Sequence, residues 1–556
     1  MRDDMPTPPE ATFRPHPRLF LDYLPHILPA LFVATVNQSL GICPVYADKL
    51  IATSCRPNIV LILADDLGYG DVGCYNPRRG KIPTPNIDRL ASQGMRFTDG
   101  HSSSGVCSPS RYALLTGRYH WRTKLQAGIV GVFGSPLIAP DRLTIAGLAK
   151  QQGYRTACIG KWHLGWTWPI GAAPREWFTP GRGSSAATDE HRRAWHDAFS
   201  QPIADGPTTR GFDSYFGTDV PNWPPYCFIE NDRTTGIPTE FLPSSLLVGN
   251  QASLQGPALK QWKLEPILPT LAERATQFIA RHAQAKQPFL LYLPLTSPHT
   301  PLAVNDEWRG RSGLNPFADF VMETDAVVGR VLEALETAGV ADDTFVLFTA
   351  DNGSAPYVGA KELEARGHFP SGPLRGYKAD VWEGGHRVPF IVRMPKAVEP
   401  GAVCGRLVHQ ADLMATLADI WDVKLPDDAA EDSFSLWPLL RGDDRPVRNT
   451  AVSCASSGVP GVRLGDWKYV PEHAVGGGRG AAAPTSIPPQ LYDLAADLGE
   501  TNNLAATMPE KVAEMRALLE RLIVEGRSTP GPRQANDVEV VRYPRTAPAK
   551  KPRSGD

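Results

Sequence analysis

The chain has 556 residues, 42% of them hydrophobic and 21% charged, with a formal net charge of −2. This is enough chain for a large core and for two domains, or for one large domain with an appendage. The near-neutral balance gives no general attraction to nucleic acid or to an anionic membrane. The 53 Pro and 50 Gly residues imply a loop-rich protein, and long loops in α/β proteins usually carry function.

In chain order, Arg14 and Arg18 precede an apolar run from Ile27 to Val36, and Val45 and Ala47 suit a signal-peptidase site. Residues 1–47 therefore read as a secretory leader and the protein as exported, periplasmic or secreted. The alternatives for this segment are a disordered leader or a misplaced start. Pro29 and the shortness of the run argue against a membrane-spanning helix, and no other segment is long and apolar enough for one. The eight cysteines are scattered with no CxxC pair, so a structural zinc or thioredoxin-like redox motif has no support. Disulfide pairing is open.

"NIVLILADD" is the first strong element. Ile59 to Leu63 is an unbroken apolar run, the pattern of a strand buried on both faces, and it ends in Asp65 and Asp66. "TPNIDRLASQG" predicts a helix capped by Thr84, "LTIAGLAKQQG" another, and "YRTACIG" a strand. The region from Trp166 to Gln261 has no clean periodicity and reads as long loops over the sheet face. "PFLLYLPL" is a strand, "FADFVMETDAVVGRVLEALETAG" a long amphipathic helix, and "DTFVLFTADNG" and "RVPFIVRMP" are strands. Strands alternating with helices predict an α/β fold with a mostly parallel sheet covered on both faces. After Asn449, short strand-like pieces and the helix "PEKVAEMRALLERLIVEG" predict a small antiparallel sheet with one helix over residues 450–530. Residues 531–556 read as a polar tail, disordered beyond its first few positions.

Ligands of such sheets bind outside the carboxyl ends of the strands. Asp65, Asp66, Asp351 and Asn352 lie there and offer three carboxylates and a carboxamide, oxygen ligands for Ca²⁺ or Mg²⁺ rather than zinc. Lys161 and His163 follow one strand, His299 follows another, and Lys378 precedes the Glu383-Gly384-Gly385 turn. Cys107 sits where a Ser/Gly-rich loop meets a predicted helix, with Arg111 one turn on. Together these residues describe a pocket for an anion beside a divalent cation. Taken one at a time, each has a plainer reading as a turn, a cap or a solvated charge.

"CSPSR" followed by "YALLTGR" resembles the signature of the type I sulfatases. "NIVLILADDLGYGDVGCYN", "GYRTACIGKWHLG", "RGFDSYFG", "TADNG", "PLRGYK", "EGGHRVP" and "LYDLAADLGETNNL" match that family in the same order, from about Arg56 to Gly526. The resemblance implies an alkaline-phosphatase-like fold, with a catalytic domain over 56–449. It implies that a dedicated maturation enzyme oxidises Cys107 to formylglycine (3-oxoalanine), which works as its hydrate beside Ca²⁺ bound by Asp65, Asp66, Asp351, Asn352 and residue 107. Lys161 and Lys378 would hold the sulfate and Arg111 would help orient the hydrate. His299, with Lys378, would protonate the leaving alcohol, and His163 would take the proton that lets sulfate leave, so that one hard step becomes two easier ones. Left unmodified, Cys107 is expected to be a reactive thiol of lowered pKa beside a cation. Exported members commonly act on sulfated sugars. Trp166, His368 and His386 are candidate substrate contacts, and Trp177, Trp195, Trp223 and Tyr226 give the loop region an aromatic character. The alternatives are a phosphonate or phosphodiester hydrolase on the same scaffold and a non-catalytic polysaccharide-binding protein.

Overall fold

The structure is a computed structural model, and it describes residues 56–181, 184, 186–247, 253–475 and 485–543. The expected leader and the last part of the expected tail lie outside these residues. The strands in chain order are β1 (Asn58–Ala64), β2 (Met95–His101), β3 (Arg155–Lys161), β4 (Ser214–Thr218), β5 (Ile229–Glu230) and β6 (Arg233–Thr234). A short pair, β7 (Glu240–Leu242) and β8 (Gly256–Ala258), follows, then β9 (Phe289–Pro294), β10 (Thr344–Ala350), β11 (Phe390–Arg393) and β12 (Ala402–His409). Ten of these form the main sheet in the order β12-β2-β11-β10-β1-β9-β3-β4-β5-β6. β1 is parallel to both β9 and β10, and β3 is parallel to β9 and β4. β11 runs against both neighbours, so the sheet is mixed but mostly parallel.

Every residue of β1 is buried, as its unbroken apolar sequence requires of a strand covered on both sides. One face packs on the helices Cys107–Thr116, Ile145–Gln151 and Leu413–Ile420. The other packs on Pro85–Ser92, Ile267–Gln284 and Pro316–Thr337. A separate antiparallel sheet holds β13 (Thr450–Cys454), β14 (Pro460–Leu464), β15 (Trp467–Val470) and, beyond the pair β16 (His473–Val475) and β17 (Thr485–Ile487), β18 (Gln490–Asp493). The helix Pro509–Glu525 covers it through Val512, Met515, Leu518 and Leu522. No helix of the described residues is long and apolar enough to cross a membrane.

Two expectations are corrected. The stretch 166–261 is not loops alone. It contributes the helix Asp189–Phe199, capped by the Thr188 hydroxyl, and it extends the main sheet through β4, β5 and β6. Its strands are too short, and its helix too polar on one side, to stand out against the intervening Pro and Gly. Residues 531–543 are not a free tail. Asp537 N–H donates to the Arg122 carbonyl at 2.8 Å, Val541 N–H donates to Gln126 at 2.6 Å, and Val540 is buried.

Buried charge fastens the small sheet to the main one. Arg463 on β14 meets Asp99 on β2 at 3.1 Å, while Lys468 on β15 meets Glu383 at 3.0 Å and Glu500 at 2.8 Å. Inside the main sheet, Gly160 has φ +141, and a Cβ there would lie 1.9 Å from the Pro294 carbonyl oxygen of the neighbouring strand. Gly160→Ala therefore forces β3 and β9 apart beside Lys161. It should cost about 2–4 kcal/mol, read as a lower thermal midpoint and a poor soluble yield. An unchanged midpoint would contradict this packing.

Candidate active site

The parallel strands β1, β3, β9 and β10 bring their carboxyl ends to one edge of the sheet. Asp65 and Asp66 follow β1, Lys161 ends β3 with His163 just beyond, His299 lies past β9, and Asp351 and Asn352 follow β10. The helix Cys107–Thr116 begins at this edge with Cys107 in its first turn. Its free N–H groups and positive dipole end favour an anion there.

Asp65, Asp66, Cys107 and His299 each place a ligand atom within 4.8 Å of the others. The Lys161 ammonium donates to Asp65 at 2.7 Å and lies 3.8 Å from the Cys107 sulfur. The Lys378 ammonium donates to Asp66 at 2.6 Å. Arg111, one helical turn beyond Cys107, is wholly buried and reaches back to the sheet. It donates to one oxygen of Asp351 at 2.8 and 3.1 Å and to the Lys161 carbonyl at 2.8 Å. Asp66 has φ +65, and its N–H donates to the other Asp351 oxygen at 3.1 Å. Arg111 thus ties the Asp351 carboxylate and the end of β3 to the helix that bears Cys107.

The electrostatics fit a divalent cation. Burial alone would raise the Asp65 carboxyl, but Lys161, His299 and Arg111 outweigh it and hold it well below the usual range. Burial and the Asp65 charge push the Asp351 carboxyl up against the pull of Arg111 and Lys161. Asn352 donates through Nδ2 to Asp66 at 2.8 Å, while its buried Oδ1 has no partner. A buried carboxyl held up by its acidic neighbour and an unpartnered carboxamide oxygen are what a hard cation with oxygen ligands would satisfy. A second compact group, His101, Glu383 and His386, does not fit one, because Arg387, Arg463 and Lys468 already pair with its acid.

The two histidines differ in how they are held. His163, at φ +53, points Nε2 at the Val130 carbonyl at 3.0 Å. A carbonyl only accepts, so Nε2 carries the proton and Nδ1 is a bare lone pair, buried and unpartnered. Burial, with Lys161 and Arg111, keeps this ring neutral. Trp223 packs edge-on against it at 5.4 Å. His299 turns Nδ1 to the Thr300 carbonyl and Nε2 to Asp66 at 3.5 Å. Burial first, then Lys378, lowers its pKa to about 4.

A family model described as Sulfatase matches residues 57–423. The chain belongs to the sulfatase family. It is 31% identical to the N-acetylgalactosamine-6-O-sulfatase of Bacteroides thetaiotaomicron, over 84% of this chain and 93% of that one. It is 32% identical to human arylsulfatase A, over 85% and 88%. A solved B. thetaiotaomicron structure from work on the metabolism of multiple glycosaminoglycans superposes with a TM-score of 0.72 at 31% identity, covering 84% of this chain and 99% of its own. The enzyme is therefore a sulfatase, a hydrolase of sulfate esters.

Three expected substrate contacts lie away from this sulfatase site's opening. Trp166 is 1% exposed, packs in the core and donates to Asp219. His368 is fully buried between the Asp71 carboxylate at 2.9 Å and the Lys81 N–H at 3.0 Å, so it clasps the loop after Asp65–Asp66. His386 is committed to His101 at 3.1 Å and to the Val381 carbonyl at 3.0 Å. Trp195 and Tyr226 are also buried. Sequence reasoning overlooked Tyr357, which is 48% exposed and close enough to Lys378, Asp66 and Cys107 for their charges to act on its hydroxyl. Its signal was available: an aromatic after Pro356 in the loop that leaves the Asp351–Asn352 pair.

The expected activated thiol is also corrected. Burial pushes the Cys107 thiol up to about 12, and the two nearby ammoniums do not overcome it. Unmodified, metal-free protein should therefore alkylate at Cys107 at least about a hundredfold more slowly than a free cysteine at pH 8, by mass spectrometry of the peptide. Labelling at the rate of an ordinary thiol would contradict this.

Proposed function

We propose that this enzyme removes sulfate from a sulfated carbohydrate, using formylglycine made from Cys107 by a maturation enzyme and Ca²⁺ held by Asp65, Asp66, Asp351, Asn352 and residue 107. The observation that carries the proposal is the convergence of Asp65, Asp66, Lys161, His299 and Asp351, from four parallel strand ends, on the first turn of the helix that bears Cys107. The hydrated aldehyde would supply an oxygen nucleophile, and the cation would offset charge on the sulfate oxygens. The fit of both groups rests on the unpartnered Asn352 Oδ1, the raised Asp351 carboxyl and the oxygen-rich donor set. Residues 56–449 form the catalytic part and 450–530 the subdomain that supports it. The leader-like residues 1–47 support export.

The chain's own groups divide the work as follows. Lys161 and Lys378, already paired with Asp65 and Asp66, bind the sulfate oxygens. His299 holds the proton for the leaving alcohol. Its low pKa requires that the bound anion draw that proton onto the ring, with Lys378 as the neighbouring donor. His163 accepts a proton at Nδ1, which is oriented by the Nε2–H bond to Val130. Tyr357 offers an exposed ring at the mouth for stacking on a sugar. The relatives' names, an N-acetylgalactosamine-6-O-sulfatase among them, agree with a sugar substrate.

Turnover of defined sulfated mono- and disaccharides, beside an aryl sulfate and an aryl phosphodiester, tests the substrate class. Sugar sulfates should be cleaved, and a preference for the phosphodiester would defeat the proposal. Asp351→Ala should abolish Ca²⁺ binding by metal analysis and reduce kcat/KM by at least about a thousandfold. Full activity after exhaustive chelation would exclude the cation.

The histidines should fail differently. His299→Ala should impair sugar sulfates more than an activated aryl sulfate, because a poor leaving group needs its acid. His163→Ala should slow the later step for every substrate and show a burst of one equivalent of alcohol. Equal losses on both substrates with no burst would show the roles to be wrongly divided.

A further inference from the structure

Beside the small sheet and its covering helix lies a cavity of about 70 Å³, and no residue of the hydrolytic site lines it. Its walls are mostly apolar: Val452 on β13, Pro460 on β14, Leu519 and Ile523 on the helix Pro509–Glu525, and Val540 from the closing segment. Trp121 and Tyr469 line it too, and they are 5% and 1% exposed. The Trp121 indole N–H and the Tyr469 hydroxyl both lack a hydrogen-bond partner. Buried polar groups are rarely left unmade, so these two atoms mark where a ligand's polar group belongs.

The rim carries charge. Arg542 is tied to Glu520 at 2.8 Å. Arg516 is exposed and makes no ion pair or hydrogen bond among the described residues, which leaves one uncompensated cation at the opening.

We propose that this cavity is a binding site for a small hydroxyaryl carboxylate, with its hydroxyl on Trp121 and Tyr469 and its carboxylate on Arg516. An indole N–H only donates, so the deep polar group must accept. The tyrosine hydroxyl can take the complementary bond, and a ligand hydroxyl serves both. The apolar walls require an apolar body between the two polar ends. The volume corresponds to room for about five waters, in the range of a single ring. The unpaired guanidinium selects an anion at the open end.

Calorimetric titration of the full-length protein with 4-hydroxybenzoate, benzoate and phenol tests the assignment. The hydroxybenzoate should bind at least about tenfold more tightly than benzoate, which lacks the hydroxyl that bonds Trp121 and Tyr469. Arg516→Ala should weaken the hydroxybenzoate about tenfold and leave phenol unchanged, and Tyr469→Phe should reduce the preference over benzoate. If Tyr469→Phe does not fold, the three-ligand ladder in the unaltered protein and the surface change at Arg516 decide the matter. Absence of binding at millimolar ligand would mean that the cavity holds water alone and would overturn the proposal. Binding that ignores Arg516→Ala would place the ligand elsewhere and overturn it equally.

Discussion

Everything at the active edge depends on burying carboxylates at the ends of adjacent strands. Asp65, Asp66 and Asp351 are each 1% exposed or less. Such charges are tolerated only when paired and hydrogen-bonded. The chain pairs each with a dedicated cation: Lys161 with Asp65, Lys378 with Asp66, Arg111 with Asp351. Because those cations come from β3, from the loop before Glu383 and from the Cys107 helix, meeting the electrostatic demand also fixes three separate segments around one point. At Asp351 burial and the Asp65 charge outweigh the pull of Arg111 and Lys161 and raise the carboxyl, in keeping with the cation proposed for this edge.

The second constraint is mechanical and comes from the small sheet. Cys454 at the end of β13 accepts from Gly105 N–H at 2.8 Å and donates to the Ser103 carbonyl at 3.0 Å. The loop that delivers Cys107 is therefore hydrogen-bonded to the C-terminal sheet. The same sheet sends Lys468 to Glu383, whose turn supports the loop that carries Asp351 and Asn352 through the bond from Gly353 N–H to the Gly385 carbonyl at 2.9 Å. Residues far apart in sequence thus hold both halves of the site in register.

Much of this was legible in the sequence. The strands β1, β3, β9 and β10 announce themselves as apolar runs because both of their faces are covered, and each ends in the polar residues that the sheet edge gathers. The motif around Cys107 identified its neighbours in advance. What was not legible follows from physics that a linear pattern does not carry. His368 and His386 lie near the site in sequence, yet their rings are consumed by Asp71 and His101. Trp166 reads as a stacking surface but fills the core, so close to Gly206 that a Cβ at that glycine would lie 1.8 Å from its ring. The thiol at a helix N-terminus beside a lysine reads as activated. Complete burial reverses the sign, because desolvation of a thiolate outweighs attraction by charges that are already paired.

That reversal bears on the central claim. A buried thiol of high pKa is a poor nucleophile, which agrees with the proposed conversion of Cys107 to an aldehyde. The most direct measurement is the mass of the peptide spanning Cys107, taken from enzyme of known specific activity prepared with and without the maturation enzyme. The account predicts that activity rises in proportion to the fraction of position 107 carrying the aldehyde and vanishes when that fraction is zero. Full sulfatase activity from protein whose position 107 is entirely cysteine would contradict it.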